Sequence, residues 1–233
     1  GTWTAQAYLK APNAEGSDNF GQSMALSGDT LVVGAHYEGG CSTSIVHGAS
    51  GYDAANGCAG AGAAYVFEKV GDSWTEITEL TAGDDAAVGA FFGSSVAISG
   101  GTIVVGAYGD EDRGYRTGSA YVFEKKSGAW TQTQKLIADD AAALDFFGYS
   151  VAISDGTIAV GAYGNADRGS RTGSAYVFEK KSGAWTQTQK LIADDAAEDD
   201  NFGYSVAISG GTVVVGAYGN DDRGSNSGSA YVF

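Results

Sequence analysis

The chain is poor in the residues that build most catalytic and metal centres. Its 233 residues include two histidines, two cysteines, one methionine and one proline. His36 and His47 are too few for a histidine-rich metal centre. There is no Gly-x-Ser-x-Gly elbow and no phosphate-cradling glycine loop with a lysine, so the chain reads as a non-enzyme. Positive charge is also scarce: 13 Lys and Arg stand against 28 Asp and Glu, a net charge of −15. Such a surface repels phosphate backbones and anionic lipid, which argues against nucleic acid and membrane-surface partners. No apolar run approaches the roughly 18 residues that span a bilayer, so membrane insertion is not expected. With Pro12 as the single proline, tight turns must come from Gly, Asn and Asp.

What is abundant is repetition. Residues 124–178 reappear at 179–233 with few substitutions, residues 68–123 are a looser copy, and residues 1–67 a divergent fourth. Phe-Gly recurs at Phe20, Phe92, Phe147 and Phe202, and Gly-Ala at Gly34, Gly106, Gly161 and Gly216. Tyr-Val-Phe closes each unit at Tyr65, Tyr121, Tyr176 and Tyr231, and each unit has one tryptophan: Trp3, Trp74, Trp130 and Trp185. The Phe-Gly step is 55 residues from Phe92 to Phe147 and again to Phe202. The first unit is longer because of a loop insert, residues 36–62. Periods of this size mark propellers, solenoids and arrays, in which a repeated surface does the work.

Within a repeat, four runs carry the β-branched and aromatic residues of strands: WTQTQKLI, FGYSVAIS, TVVVGAY and SAYVF. In FGYSVAIS, alternation places Phe202, Tyr204, Val206 and Ile208 on one face. Two-residue signals such as Gly28-Asp29 and Asp155-Gly156 separate the second and third runs and suit tight hairpins. Each repeat is therefore expected to be a four-stranded antiparallel meander, with the Phe-Gly strand innermost and the Thr- and Gln-rich Trp strand at the outer edge.

These motifs together resemble FG-GAP repeats, the blade units of integrin α-subunit propellers and of many secreted or surface proteins. The resemblance spans nearly the whole chain, four times over. It implies an all-β fold, a β-propeller of four four-stranded blades in one domain over residues 1–233. It also implies a secreted or cell-surface location and adhesive, lectin-like or structural roles. Integrin-type repeats often carry a calcium loop in the hairpin after the Phe-Gly strand. Here that hairpin is Ser-Gly-Gly-Thr or Ser-Asp-Gly-Thr, too short to wrap an ion, so those calcium ligands do not carry over.

A different acidic loop recurs between the Gly-Ala and Tyr-Val-Phe runs. Asp110 and Asp112, Asn165 and Asp167, and Asn220 and Asp222 offer oxygens at alternate positions before a glycine, as in the first half of a Ca2+ loop. They are candidate Ca2+ ligands, although no closing bidentate carboxylate follows. The other reading is that they cap turns while the neighbouring arginine pairs with a carboxylate. Tyr108, Tyr163 and Tyr218 follow each Gly-Ala and are candidates either for stacking on sugars or for packing between blades. Cys41 and Cys58 share the loop insert, and a disulfide between them is expected, which implies an oxidising compartment.

The phase of the repeat leaves an outer-type strand, including Trp3, Tyr8 and Leu9, at the N-terminus, while the C-terminus stops at the third strand of a unit. That N-terminal strand is expected to complete the last blade, either in its own chain or in a neighbouring subunit. The chain begins Gly1-Thr2 without a leader pattern and reads as a processed product. The expected partners are the chain itself, as a homo-oligomer or filament, or extracellular glycans and proteins. The leading expectation is a structural or adhesion module, and the competing one a secreted carbohydrate-binding propeller.

Overall fold

The computed structural model describes residues 2–39, 46–47 (backbone only) and 58–233. Sixteen strands follow in order: β1 (Ser23–Ser27), β2 (Thr30–Ala35), β3 (Val46–His47), β4 (Ala63–Val70), β5 (Ser73–Leu80), β6 (Ser95–Ser99), β7 (Thr102–Ala107) and β8 (Ser119–Lys126). Then come β9 (Ala129–Leu136), β10 (Ser150–Ser154), β11 (Thr157–Ala162), β12 (Ser174–Lys181), β13 (Ala184–Leu191), β14 (Phe202–Ser209), β15 (Thr212–Ala217) and β16 (Ser229–Val232). Among the described residues the only helix is a single 3-10 turn at Gly83–Asp85, and none is long and apolar enough to cross a membrane.

The strands form four antiparallel sheets, ordered β1-β2-β4-β5-β3, β6-β7-β8-β9, β10-β11-β12-β13 and β14-β15-β16. Each is a meander, with β3 added in the first sheet from the loop insert. The hairpin from β10 to β11 closes over Asp155 and Gly156, both at positive φ (48° and 77°), with Ser154 paired to Thr157. The strands twist apart least at such two-residue turns, which need a residue tolerant of left-handed backbone.

The Phe-Gly run departs from simple alternation. In the first three sheets the inner strand begins at Ser23, Ser95 or Ser150, after Phe-Gly, and in the fourth a register shift falls between Phe202 and Ser205. Phe202 is therefore buried, whereas Tyr204 swings out of the face that Val206 and Ile208 share. The positive φ of Gly203 (91°) makes this break, and its neighbours leave no room for a side chain: a Cβ there would meet the Ser174 carbonyl oxygen at 2.1 Å.

The sheets pack face to face in sequence, β1 against β6, β6 against β10 and β10 against β14. Each junction holds its own core. Val32, Val66, Phe92, Ile103 and Trp130 fill the first junction, Val104, Val122, Phe147, Ile158 and Trp185 the second, and Ala159, Val177, Phe202 and Val213 the third. Small residues let the backbones approach. A Cβ on Gly106 would lie 1.9 Å from the Gly148 carbonyl oxygen, and one on Gly161 the same distance from that of Gly203. Outer strands add polar stitches, with the Gln134 side chain donating to the Trp185 carbonyl (2.6 Å) and accepting from its N–H (2.8 Å).

Closure into a ring is not seen among the described residues. No core cluster among the described residues unites the fourth sheet with the first. Residues 2–10 form no strand, so the expected fourth strand of the last sheet is missing and β16 pairs on one edge only. Trp3 and Tyr8 are exposed, while Leu9 lies against the small cluster of Phe20, Tyr65 and Phe67 at the outer face of the first sheet. The physical reason is local. That segment precedes the first sheet, and in this arrangement the edge it resembles a partner for, β16, stands at the far end of the row. The expected Cys41–Cys58 bridge has Cys41 outside the described residues.

Candidate functional site: acidic turns and an aromatic row

The recurrent acidic loop is a turn closed by its own side chains. In the second sheet, Asp110 is 3% exposed. Its Oδ1 accepts the Asp112 N–H (3.1 Å), and its Oδ2 accepts the Tyr121 hydroxyl (2.8 Å) and lies 3.0 Å from Lys135 Nζ. Lys135, on β9, also pairs with Asp112 and with Asp85 (3.4 Å). Burial disfavours the ammonium, but the hydrogen bonds it donates to Asp112 and Asp110 outweigh it and hold the lysine above its usual range. In the third sheet, Lys190 joins Asp140 (2.6 Å) and Asp167, and Tyr176 donates to Asp140 (3.0 Å). Burial pushes Asp140 up, yet its bonds to Lys190 and Tyr176 prevail and keep it below the usual carboxylate range. Asn165 uses its Oδ1 to accept Ser174 Oγ–H (2.9 Å), and Asn220 does the same with Ser229 (2.9 Å).

Five of the six candidate ligands give side-chain oxygens to partners on the chain itself: Asp110 and Asp112 to Lys135, Asp167 to Lys190, and Asn165 and Asn220 to serine hydroxyls. Three or more acidic, histidine or cysteine side chains are nowhere arranged to hold a metal among the described residues. Lys135 and Lys190 were the residues the sequence reading missed, although their place five residues after each Trp, opposite the Tyr of Tyr-Val-Phe, was visible. The pairing Tyr121 to Lys135 and Tyr176 to Lys190 in the sheet register brings them to the loop.

The first sheet inverts this charge. Glu79 stands on β5 where the lysines stand on β9 and β13, paired in register with Tyr65. The Tyr65 hydroxyl lies 2.8 Å from Asn13, 3.1 Å from Glu79 and 3.4 Å from Glu38, all in buried or part-buried surroundings. Burial and then the two carboxylates drive the Tyr65 phenol far above its usual range. The aspartate two residues before Phe147 or Phe202 has a separate, local task. Asp145 and Asp200 are buried and accept the N–H groups of Ala142 and Ala197, both at 2.8 Å.

Tyr108, Tyr163 and Tyr218 lie in one row of rings with partners that alternation had hidden. Tyr37 contacts Phe91 (5.3 Å between centroids), Phe91 stacks on Tyr108 (5.0 Å), and Tyr108 approaches Tyr149 (5.5 Å). Phe146 stacks on Tyr163 (5.0 Å), Tyr163 meets Tyr204 (5.6 Å), and Tyr204 meets Tyr218 (4.5 Å). The Tyr149 hydroxyl donates to that of Tyr204 (2.9 Å). Every ring touches another, so packing between sheets accounts for the row, while Tyr37, Tyr204 and Tyr218 keep one surface in solvent. At one end, Tyr37 and Phe91 line a cleft of about 450 Å³ together with Glu15 and Asp18.

The chain matches the FG-GAP repeat family at residues 3–67, 74–123, 130–178 and 185–233. No curated protein matches it. Four matches, each ending on Tyr-Val-Phe and each covering a Phe-Gly pair at or just before a sheet's inner strand, establish that the chain belongs to the FG-GAP repeat family.

Proposed function

We propose that this chain is a non-enzymatic, extracellular structural or adhesion module that acts through its repeated faces. One observation carries the reading: the side chains best suited to chemistry are spent on holding turns. Asp110, Asp140 and the lysines neutralise one another, and the tyrosine hydroxyls donate into the same clusters. What each repeat offers outward is shape and aromatic surface, which suits attachment. In the finer form of this reading the module assembles head to tail, with residues 2–10 of one subunit, including Trp3, Tyr8 and Leu9, adding to the free edge of β16 in another.

A second reading, a carbohydrate-binding propeller, is favoured by the aromatic row and by the cleft where Tyr37 and Phe91 meet the carboxylates of Glu15 and Asp18. Beads coated with the protein, presented to a glycan array, to cell surfaces and to one another, test both. Adhesion above that of albumin-coated beads supports the module. Sugar-specific, saturable binding lost on Tyr218→Ala or Tyr37→Ala moves the reading to the lectin, and no adhesion to any surface ends both.

A further inference from the structure

Every internal junction is built from the same four hydrogen bonds. In the first, the N–H groups of Gly89, Phe91 and Phe92 donate to the carbonyls of Ala59, Gly60 and Ala61 (2.9–3.0 Å), and Ser23 Oγ–H donates to the Gly93 carbonyl (2.8 Å). In the second, Leu144, Phe146 and Phe147 donate to Tyr115, Arg116 and Thr117 (2.8–3.1 Å), and Ser95 to Gly148 (2.8 Å). In the third, Asp199, Asn201 and Phe202 donate to Ser170, Arg171 and Thr172 (2.9–3.1 Å), and Ser150 to Gly203 (2.9 Å).

Both halves of a fourth such junction exist on this chain, at opposite ends and unused. The donors are the N–H groups of Ser17, Asn19 and Phe20, with the Gly21 carbonyl as acceptor. Their counterparts are the carbonyls of Ser225, Asn226 and Ser227, with Ser205 Oγ–H as donor. None of these groups has a hydrogen-bond partner among the described residues. Their backbones already hold the docked shape. Ser17, Asn19 and Gly21 sit at φ 78°, 56° and 94°, against 72°, 57° and 85° for Gly89, Phe91 and Gly93. Asn226 and Gly228, at 49° and 72°, match Arg116 and Gly118, at 52° and 81°.

The apolar surfaces tell the same story. Met24 is 65% exposed, where its equivalents Val96 and Val151 are each 9% exposed against the preceding sheet. Val232 is 69% exposed, where Val66 and Val122 are fully buried against the following one. A Cβ on Gly21 would meet nothing within 4 Å, whereas those on Gly93, Gly148 and Gly203 meet a carbonyl of the preceding sheet.

We propose that the first sheet of one copy docks on the fourth sheet of a second copy, through Ser17, Asn19, Phe20 and Met24 on one side and Ser205, Ser225, Asn226, Ser227 and Val232 on the other. This deepens the head-to-tail reading above, on which it rests, by naming the faces that meet. The interface is heterologous, because different surfaces pair, and each added copy leaves both a new donor face and a new acceptor face unless the rotation closes a ring. Docking also brings residues 2–10 of the incoming copy beside the free edge of β16. There the repeat register places Tyr8 opposite Tyr231 and Leu9 opposite Ala230, as Lys135 and Leu136 stand opposite Tyr121 and Ala120.

Sedimentation velocity of the 233-residue chain over a wide concentration range tests this directly, with Met24→Asp and Val232→Asp as face variants. Both positions are solvent-exposed in a single copy, so circular dichroism should show both variants folded, and Leu26→Asp and Ala230→Asp stand in for either that is not. The expected result is concentration-dependent association of the parent chain, weakened at least about tenfold by either variant alone. An equimolar mixture of the two variants should form a dimer and nothing larger, since it contains one intact face of each kind. A parent chain that stays monomeric at all concentrations overturns the proposal, as does association indifferent to both variants or a mixture that does not dimerise. A chain that is monomeric in sedimentation yet holds glycans or cells in the bead assay sinks the docking and leaves the adhesion reading standing.

Discussion

Internal junctions and open ends are made of the same sequence, and they behave as opposites. Val122 in the second junction is fully buried, while Val232, at the same place in Tyr-Val-Phe, is 69% exposed. Gly161 faces a carbonyl oxygen that a Cβ would strike at 1.9 Å, whereas one on Gly216 would come close only to the Ser205 hydroxyl (2.4 Å). In a repeat array a residue's energetic role is set by whether a neighbouring unit stands in front of it, because each unit contacts only the next. Reading one repeat in isolation cannot tell a core valine from a surface valine.

The largest effect expected from this contrast is on the close-approach glycines. Gly161→Ala should destabilise the chain by at least about 3 kcal/mol in urea unfolding, since backbone must move to admit the methyl. Gly216→Ala should cost much less, because a hydroxyl can rotate aside. Equal losses at the two positions would erase the distinction between junction and end.

Next in size is the lysine clamp. Lys135→Gln leaves the buried Asp110 carboxylate without its cation and should cost about 2–4 kcal/mol. The effect has a pH signature. A lysine held above its usual range contributes stability that is present below the ordinary lysine pKa of about 10.4 and is lost as pH rises through its higher folded value. The alkaline limb of the parent's stability curve should therefore flatten in Lys135→Gln. Lys69, which has the equivalent place to Lys125 and Lys180 in its sheet but makes no ion pair among the described residues, serves as the control. Its change to Gln should move stability by less than about 0.5 kcal/mol.

Smaller again is the valine pair. Val122→Ala should cost about 2 kcal/mol, and Val232→Ala should be within about 0.5 kcal/mol of the parent in dilute solution. At concentrations where copies associate, the second value should grow toward the first, which would measure the docked fraction. The smallest expected effect is that of a chelator. The melting temperature with and without EDTA should coincide, and a drop on chelation would restore calcium to the acidic turns.

Much of the fold was legible in residues alone. Phe-Gly, Gly-Ala and Tyr-Val-Phe at constant spacing place every strand of the three regular repeats, because the hairpin signals between them admit few loop lengths. The break after Phe202 was hidden, since alternation alone carries Tyr204 onto the face of Val206. A Gly whose φ turns positive redirects the chain there, and period-two counting has no means to see it. Phe91 and Phe146 were visible as the first residue of a Phe-Phe pair but carried no sign of facing Tyr108 and Tyr163, since that contact crosses between sheets. The acidic turns were found, and their true counter-charges were not. Asp110 and Lys135 are 25 residues apart, joined only by the β8–β9 register.

A lysine in place of an ion has a further consequence. A metal-held turn exists in proportion to the free metal around it, and rinsing the surroundings loosens it. The ammonium of Lys135 or Lys190 arrives on the same chain as the carboxylates it meets, so no dilution carries it away. The two turns that Lys135 and Lys190 hold should keep their geometry in any medium that keeps those lysines charged, whatever minerals that medium contains.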